Sequence, residues 1–269
     1  MNHLMRDLAP LSAAAWEEID SEARQRLTPQ LGARAVVDWA GAGGDWKRSA
    51  ANLGRTARLD GPPPGVTGEA RVLQRRVLPL AEVRVPFVVD RAELDDAERG
   101  ALDLELDDLG RAARVLAEIE NRAVFHGWPE AGFHGIVPGA QHGTAKLGAD
   151  PEDFAVAIAR AVETLRIAGV EGPYALAADP ETYTRIAESN EGGHLLVEHL
   201  TKILGGKVAF VPGMDGAVVL SQRGGDFVLD VGQDVAVGYS HHDADTVSLF
   251  LEESFAFRLI EPDAACTLG

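Results

Sequence analysis

The last third of the chain, residues 223–257, places the strongest constraint on the fold. It contains two long β-rich runs, separated by a polar connection at residues 241–245. Alternation of apolar and polar residues is typical of strands that pack one face against a core. We therefore predict a sheet that fixes geometry and contains neither a nucleophile nor a phosphate-binding loop. Such a segment favours a function that depends on shape and on assembly in many copies.

Charge and cysteine content exclude several classes of protein. The 269 residues include 25 Lys and Arg against 42 Asp and Glu, a formal charge of −17. So acidic a chain lacks the basic face that phosphate contacts need, and we expect no nucleic-acid partner. Its single cysteine, Cys266, excludes a disulfide within the chain. With no signal peptide and no long apolar run, we expect a cytoplasmic protein without a membrane partner.

Hydrophobic periodicity predicts helices alternating with strands along most of the chain. Ser12 is a suitable N-cap for a first helix, a strand is predicted over residues 34–39, and another over 77–90. A longer helix with an apolar stripe is predicted over 107–126. In the region 128–222, short strands alternate with helices that begin near Asp150, Asp179 and His194.

Residues 41–65 are rich in turn formers and separate the first helix from the long strands. The segment includes GAGG at 41–44 and DGPPPG at 60–65, and β-like runs at 53–59 and 66–73 flank the prolines. Its low apolar content predicts a two-stranded arm rather than a packed domain. Because an isolated hairpin is marginally stable in water, the arm must lie against this chain or against a neighbour.

No cluster of reactive side chains predicts a catalytic or metal site. The adjacent residues His241–His242 point to opposite faces of a strand, which is poor ligand geometry. Ser254 lacks the G-x-S-x-G setting of a hydrolase, and Cys266 lies where a preorganised oxyanion hole is hard to build. Three further histidines lack a partner at i+4 spacing: His126, His134 and His142. We predict no catalytic residue, no metal and no enzymatic activity.

Seven segments occur in a characteristic order, from the first residues to about residue 257. They are MNHLMRDLAPLSAAAWEEID, GARAVVDW, VRVPFVVDRAELDDAERG, GVEGPY, RGGDF, GQDVAVGY and TVSLFLEESFAFRL. Each segment is weak alone, but the ordered set is specific. Together they resemble the encapsulins, prokaryotic nanocompartment shell proteins that are also known as linocin-type bacteriocins. The resemblance implies an α+β fold of the Hong Kong 97 type, that of tailed-phage major capsid proteins.

The resemblance also implies a division of the chain into three intertwined parts. The P-domain would be formed by residues 1–48, by 76–133 with the spine helix, and by the strands of 223–255. The arm, residues 49–75, would be the extended E-loop. The A-domain would comprise residues 134–222 and the C-terminal tail, 256–269.

Similar proteins assemble into closed icosahedral shells around a cargo enzyme. The smallest such shell has about 60 copies, and the short chain without insertions favours that size. In the family, the cargo is an iron-storing ferritin-like protein or a dye-decolourising peroxidase, which would connect the shell to iron storage and oxidative stress.

In the family, a short C-terminal peptide of the cargo docks on the inner wall of the shell. The matching residues here are Leu27, Arg34, Asp38, Trp39, Val235, Val237 and Tyr239. Apolar side chains in a shallow groove, with a charge pair for register, would bind it weakly at many subunits at once. The open alternative is that the valines belong to the core.

The resemblance assigns two further features. A loop between two helices would line the five-fold pore, with Glu188, Ser189, Asn190, Glu191, Gly192, Gly193 and His194. Its glutamates would favour cations and its histidine would make passage depend on pH. An ordinary flexible surface loop is the alternative. Some relatives bind a flavin by stacking it on a tryptophan, but the matching position here is Arg91, so no flavin cofactor is expected.

Two other functions stay open. The first is the bacteriocin or protease activity that the linocin name implies, in which case cargo-free protein would hydrolyse peptides or inhibit cells. The second is the major capsid protein of a prophage, in which case purified particles would contain nucleic acid.

Overall fold

The computed structural model describes residues 3–40, 44–145, 147–148, 150–191 and 194–268. The helices within this part of the chain are α1 (Ala13–Leu27), α2 (Arg91–Glu98), α3 (Asp107–Phe125), α4 (Ile136–Gly139), α5 (Pro151–Ile167), α6 (Pro180–Glu188) and α7 (Leu196–Leu204). Short 3₁₀ turns occupy Arg6–Leu8, Ala33–Ala35, Pro129–Ala131 and Pro262–Ala264.

Fourteen strands occur in the same described residues. They are β1 (Asp38–Ala40), β2 (Ala50–Arg58), β3 (Leu73–Pro79), β4 (Ala81–Asp90), β5 (His142–Ala145), β6 (Tyr174–Ala178), β7 (Asn190–Glu191), β8 (His194–Leu195), β9 (Val208–Phe210), β10 (Ala217–Ser221), β11 (Phe227–Val231), β12 (Ala236–His242), β13 (Thr246–Leu259) and β14 (Ala265–Leu268). No helix of the described part is both long and apolar enough to cross a membrane.

The first sheet is organised around β13. Its residues 246–255 pair antiparallel with β4, while 247–252 pair with β12 and 255–259 with β11. β1 adds a short parallel strand beside β11. Residues 249–257 of β13 are all buried, so both faces of this central strand are covered.

The long helix α3 packs against β4 and β13 of the first sheet and also contacts α1. Most of its predicted stripe is buried: Leu109, Ala112, Ala113, Leu116 and Ala123. The helix ends before Gly127, which has a φ of 85°. A Cβ at Gly127 would lie 2.7 Å from the Gly135 nitrogen, so the close approach of these two segments requires glycine.

The second sheet has the strand order β5-β14-β10-β6-β9. Helices α5, α6 and α7 cover it. The C-terminal strand β14 lies inside the sheet, antiparallel to β10 and parallel to β5. Residues 142–221 therefore share a sheet with the last strand, while residues 227–259 belong to the first sheet.

The arm is a two-stranded antiparallel ribbon of β2 and β3, which belong to no larger sheet. Ala51 is the one buried residue between positions 50 and 79. The predicted arm is therefore present, and it carries almost no core of its own.

The strands of the arm differ in position from the prediction. The second strand is β3 rather than residues 66–73, because Gly68 has a φ of 131°, outside the β region. β3 and β4 are separate strands where one strand over 77–90 was predicted, because β3 pairs with β2 of the arm whereas β4 pairs with β13 of the first sheet.

Three other sequence predictions need correction. Residues 34–39 do not form one strand, because the 3₁₀ turn Ala33–Ala35 precedes the short β1. The final region holds three strands, β11, β12 and β13, rather than two long runs. The helix predicted to begin at His194 begins at Leu196, since His194 and Leu195 pair with β7.

The boundaries of the three domains stay predictions. One strand crosses a predicted boundary, because β13 extends to Leu259, beyond position 255.

Candidate functional site

A groove of about 690 Å³ lies between α1 and the segment that joins β11 to β12. Its apolar lining includes Ala23, Leu27, Leu31, Trp39, Val235 and Val237. Its charged lining consists of Arg6, Asp20, Arg24, Arg34 and Asp234. An apolar concave surface with a few charged groups at fixed positions is the usual form of a ligand or peptide site.

The C-terminal half of α1 forms one wall of the groove because of its amphipathic pattern. Ser12 caps the helix by accepting a hydrogen bond from the amide of Ala15, at 3.2 Å. The buried positions Ile19, Ala23 and Leu27 follow at four-residue spacing. Ala23 and Leu27 also reach the groove, so the buried stripe of α1 continues into the groove wall.

Arg34 lies at the floor of the groove, held by three carboxylates. Its guanidinium donates to Glu120 at 2.6 Å, to Asp234 at 2.8 Å and to Glu253 at 3.0 Å. The Arg34 side chain is 10% exposed, and those of Glu120 and Glu253 are fully buried. The 3₁₀ turn that contains Arg34 is fixed by Asn121, which accepts from the amide of Ala33. Helix α3 carries Glu120 and strand β13 carries Glu253, so these two elements hold Arg34 in place beneath the groove.

Two groups of this cluster, Glu253 and Arg34, have pKa values shifted from their ordinary values. Desolvation is the largest cause of a pKa of Glu253 well above its ordinary value of 4.5, and the charge of Glu120 adds to it. Burial alone would lower the pKa of Arg34, but Glu120, Glu253 and Asp234 outweigh it and raise the pKa. Oε2 of Glu253 accepts from Arg34, whereas its buried Oε1 has no hydrogen-bond partner among the described residues. The raised pKa of Glu253 favours its neutral form, because its charge is the most poorly solvated.

Trp39 and Val235 supply the accessible apolar surface of the groove. Trp39 is 40% exposed, and Arg34 lies 4.8 Å from its ring centroid. This cation–π contact holds the indole beside the groove. Asp234 orients the other wall, since it also accepts from the amide of Val235 at 2.8 Å.

The structure brings together five of the seven residues predicted for cargo binding: Leu27, Arg34, Trp39, Val235 and Val237. Asp38 lies outside the groove lining, because its carboxylate accepts from the amide of Gly225. Tyr239 also lies outside it, where its hydroxyl is 2.6 Å from Nδ1 of His242. Among the valines, Val237 is buried and Val235 is partly exposed, so Val237 also belongs to the core.

Sequence reasoning missed the charged residues at the edge of the groove. Asp20, Arg24, Leu27 and Leu31 recur at spacings of three and four, so helical periodicity alone predicts one shared face. Arg6 has no such signal, since it reaches the groove by pairing with Asp20 at 2.7 Å.

Arg24 differs from the other arginines that line the groove. Arg6 pairs with Asp20, and Arg34 pairs with buried carboxylates. In the part of the chain that the structure describes, no carboxylate forms an ion pair with Arg24. Its guanidinium therefore adds an unneutralised positive charge to the edge of the groove.

The loop predicted to line a pore lies away from the groove, between α6 and α7. β7 and β8 pair there as a tight ribbon, with Asn190 opposite Leu195 and Glu191 opposite His194. The hydroxyl of Ser189 donates to the carbonyl of Arg185 at 2.6 Å, and Glu188 is exposed at the end of α6. Gly192 and Gly193 lie outside the described residues.

Two of the histidines considered as metal ligands, His126 and His142, have separate local partners. Nε2 of His126 accepts from the amide of Asp215, and Nε2 of His142 lies 3.0 Å from the carbonyl of Asp263. No group of three potential metal ligands occurs among the described residues. Arg91, at the position where a flavin-stacking aromatic was considered, bonds through its guanidinium to the carbonyl of Asp243.

Solved structures with the same architecture are capsid-like. The virus-like particle of Pyrococcus furiosus matches with a TM-score of 0.65 at 19% identity, covering 94% of this chain and 99% of that chain. A protein of Mycobacterium phage Bobi matches with a TM-score of 0.57 at 15% identity, covering 90% of each chain. At these identities the similarity shows the fold alone, and that fold is the predicted Hong Kong 97 type.

The sequence comparisons identify the family. Residues 1–256 match the family Linocin_M18, described as encapsulating protein for peroxidase. The type 1 encapsulin shell protein of Rhodospirillum rubrum is 46% identical, covering 100% of this chain and 96% of the relative. That of Mycobacterium tuberculosis is 38% identical over the full length of both. The chain is therefore a member of the encapsulin family of shell proteins.

Proposed function

We propose that this chain assembles with copies of itself, in the cytoplasm, into a closed icosahedral shell that encloses a cargo enzyme. The groove would bind a C-terminal peptide of that cargo on the inner wall. One observation carries this proposal: five residues that a family resemblance predicts from distant parts of the sequence line a single groove. The shell would be the smallest closed form, of about 60 copies.

The chemistry of the groove suits an apolar peptide that carries a carboxylate. Leu31, Trp39 and Val235 are only partly buried and offer apolar contacts. Arg24 provides a cation that no described carboxylate neutralises, and a C-terminal peptide contributes a terminal carboxylate. Each groove needs only modest affinity, because many grooves act on one multimeric cargo at the same time.

The cargo itself is proposed from the description of the family, which names a peroxidase. A dye-decolourising peroxidase is our first choice and a ferritin-like protein the second. In this proposal the shell has no catalytic role, and reactants pass through the pore lined by the α6–α7 loop. No flavin would bind near Arg91, and purified shells should therefore lack flavin absorbance.

Loading of the shell provides the test. Shells would be produced with a peroxidase that carries or lacks its C-terminal tail, and haem absorbance per shell would be measured after purification. Trp39→Ala combined with Val235→Asp should reduce loading about tenfold or more, the effect of losing roughly 1.4 kcal/mol per site. Shells should still form, because both side chains are partly exposed.

Val115→Asp is the matched control, because Val115 is a comparably exposed valine on α3, 38% exposed, and does not line the groove. It should load as the wild type does. Equal loading of the groove variant, or equal loading of the tailless peroxidase, would contradict the proposed docking site.

The fold similarity to phage capsids favours one alternative, a prophage capsid protein. The particles expected for the two functions differ in what they enclose, because a phage capsid would contain nucleic acid and the proposed shell would contain a cargo enzyme. The ratio of absorbance at the nucleic-acid and protein maxima of purified particles distinguishes them. With a charge of −17, we expect particles free of nucleic acid.

A further inference from the structure

A loop of the second sheet lies against the C-terminal half of α3, the helix that packs on the first sheet. This loop, residues 211–216, joins β9 to β10. Asn121 of α3 donates to the carbonyl of Pro212 at 2.9 Å, and Arg122 donates to that of Gly213 at 2.8 Å. A Cβ at Gly213 would lie 2.5 Å from a side-chain carbon of α3, so helix and loop are in close contact. The loop therefore forms a joint between the two sheets.

The other end of this loop is held by His126, the residue at the C-cap of α3. The amide of Asp215 donates to Nε2 of the His126 ring at 3.0 Å. An imidazole nitrogen accepts a hydrogen bond only when it carries no proton. The bond to Asp215 thus requires the neutral ring, with its proton on Nδ1.

The direction of this hydrogen bond distinguishes His126 from His142. Nε2 of His142 lies 3.0 Å from the carbonyl of Asp263, which is an acceptor, so this nitrogen donates. Protonation of the His142 ring leaves an N–H at that position, and the bond survives. Protonation of the His126 ring places two N–H donors against each other, and the bond from the Asp215 amide is lost.

Burial and neighbouring charges determine when His126 gains a proton. Desolvation is the largest cause of a pKa of His126 below its ordinary value of 6.5, and the charge of Arg122 adds to it. The carboxylate of Asp215 lies 3.6 Å from Nε2 and raises the pKa, but it is 77% exposed and burial outweighs it. Other titratable side chains of the adjacent segments are exposed to solvent: Glu118, Glu130 and His134.

We infer that His126 is a pH-sensitive latch between α3 and the β9–β10 loop, which opens as the pH falls and loosens the joint between the two sheets. The bonds from α3 to Pro212 and Gly213 involve no group that titrates near neutral pH. Release is therefore confined to the end of the loop at Asp215. This inference concerns a contact within a single chain and goes beyond the proposed shell.

The direction of the pH effect follows from the lowered pKa of His126. The closed latch contains the neutral ring, and the open latch exposes a ring whose pKa returns towards 6.5. The open form therefore binds the proton more readily than the closed form. The latch is fully stable above pH 6.5 and loses stability as the pH falls from 6.5 through the lowered pKa.

Hydrogen exchange at the amide of Asp215 tests the inference. Mass spectrometry with residue-level fragmentation would follow this amide in the purified full-length protein from about pH 8 to about pH 5, the range in which histidines titrate. The protection factor, which is the ratio of the intrinsic to the measured exchange rate, removes the direct effect of pH on exchange. Below pH 6.5 protection should fall by up to about tenfold per pH unit, the limit for a single proton.

Three substitutions separate the latch from general effects of pH. His126→Gln should make protection at Asp215 independent of pH, whether it is high or low, because an amide side chain does not titrate in this range. Asp215→Asn keeps the backbone amide but removes the charge that opposes desolvation, so the loss of protection should extend to lower pH. His142→Gln is the matched control and should keep the wild-type profile, because His142 bonds to Asp263 and not to the loop.

The amides of β13 provide an internal reference for unfolding of the whole protein. Their protection should not fall together with that of Asp215, because the latch opens locally. The inference is overturned if Asp215 keeps its protection down to the lower end of the pH range, or if His126→Gln retains the wild-type pH dependence. Parallel loss of protection in β13 also overturns it. The measurement uses the chain as purified, so its outcome does not depend on whether the proposed shell forms.

Discussion

At Arg34, three carboxylates converge on a guanidinium beneath the groove. Arg34 donates both Nε and Nη2 to Glu120, whereas Glu253 receives a single hydrogen bond. Removing one partner from a buried charge cluster leaves the others uncompensated. Since Arg34 also supports Trp39 and orients Asp234, this one side chain links the stability of the fold to the shape of the groove.

Replacing Arg34 with methionine should therefore destabilise the protein strongly. We expect Arg34→Met to lower the free energy of unfolding by about 3–5 kcal/mol, the usual effect of breaking a buried ion pair. Urea denaturation followed by circular dichroism measures it. Arg114→Met is the control, because Arg114 lies exposed on α3 without an ion pair among the described residues. A similar small change in both variants would refute a structural role for the cluster.

The two buried glutamates should respond differently to amide substitution. Glu253→Gln should change the free energy of unfolding by less than about 1 kcal/mol, because the raised pKa of Glu253 favours the neutral form that the amide mimics. Glu120→Gln should destabilise by about 3 kcal/mol or more, since it removes the carboxylate that faces Arg34. Equal losses in the two variants would show that Glu253 is ionised.

Glu253 should also give the protein a characteristic pH dependence. Its pKa is raised in the folded state, so the folded protein retains a proton that the unfolded chain releases above pH 4.5. Stability must then fall as pH rises from 4.5 towards the raised pKa. The stability of the wild type relative to Glu253→Gln should decline over this window in urea titrations. A difference that increases with pH would contradict this assignment.

Among the elements, α1 contributes several side chains to the core, whereas the arm contributes almost none. α1 buries Ala15, Ile19, Ala23 and Leu27 and is held by the core. The arm buries Ala51 alone, so it can be removed at little loss to the fold of a single chain. Within one chain, only its own ladder of β2 and β3 holds the arm together.

Deletion of the arm should prevent assembly into shells without preventing the rest of the chain from folding. Replacing residues 50–79 by a short Gly-Ser linker should leave the circular dichroism of the remaining elements intact. Shells should disappear from size exclusion and electron microscopy, because each arm would lose its contact with a neighbour. Intact shells after this deletion would contradict the role of the arm in assembly.

The elements were predictable to different degrees. Periodicity and capping residues identify α1, α3, α5 and α6, because these signals are local in sequence. β3 and the 3₁₀ turn at Ala33–Ala35 were missed. Their positions depend on the ladder register of the arm and on the bond from Ala33 to Asn121, which involve partners elsewhere in the chain.

At the scale of the whole molecule, two sheets share one chain that passes between them. The chain builds part of the first sheet, then the second, returns through β11, β12 and β13, and ends with β14 in the second sheet. With a charge of −17, copies of this chain would repel one another, so contacts between them in a shell would have to outweigh that repulsion.

The sequence by itself determined the type of most secondary-structure elements and the family to which the chain belongs. Alternation in β4 and β13, the helical stripes, the turn-rich arm and the ordered segments all lie in local or sequential patterns. The tertiary structure decided which residues form the groove. It admitted Arg6 and Asp234, left out Asp38 and Tyr239, and placed Glu120 and Glu253 beneath Arg34. Contacts between side chains 86 and 219 positions apart follow from packing in three dimensions, and no local periodicity encodes them.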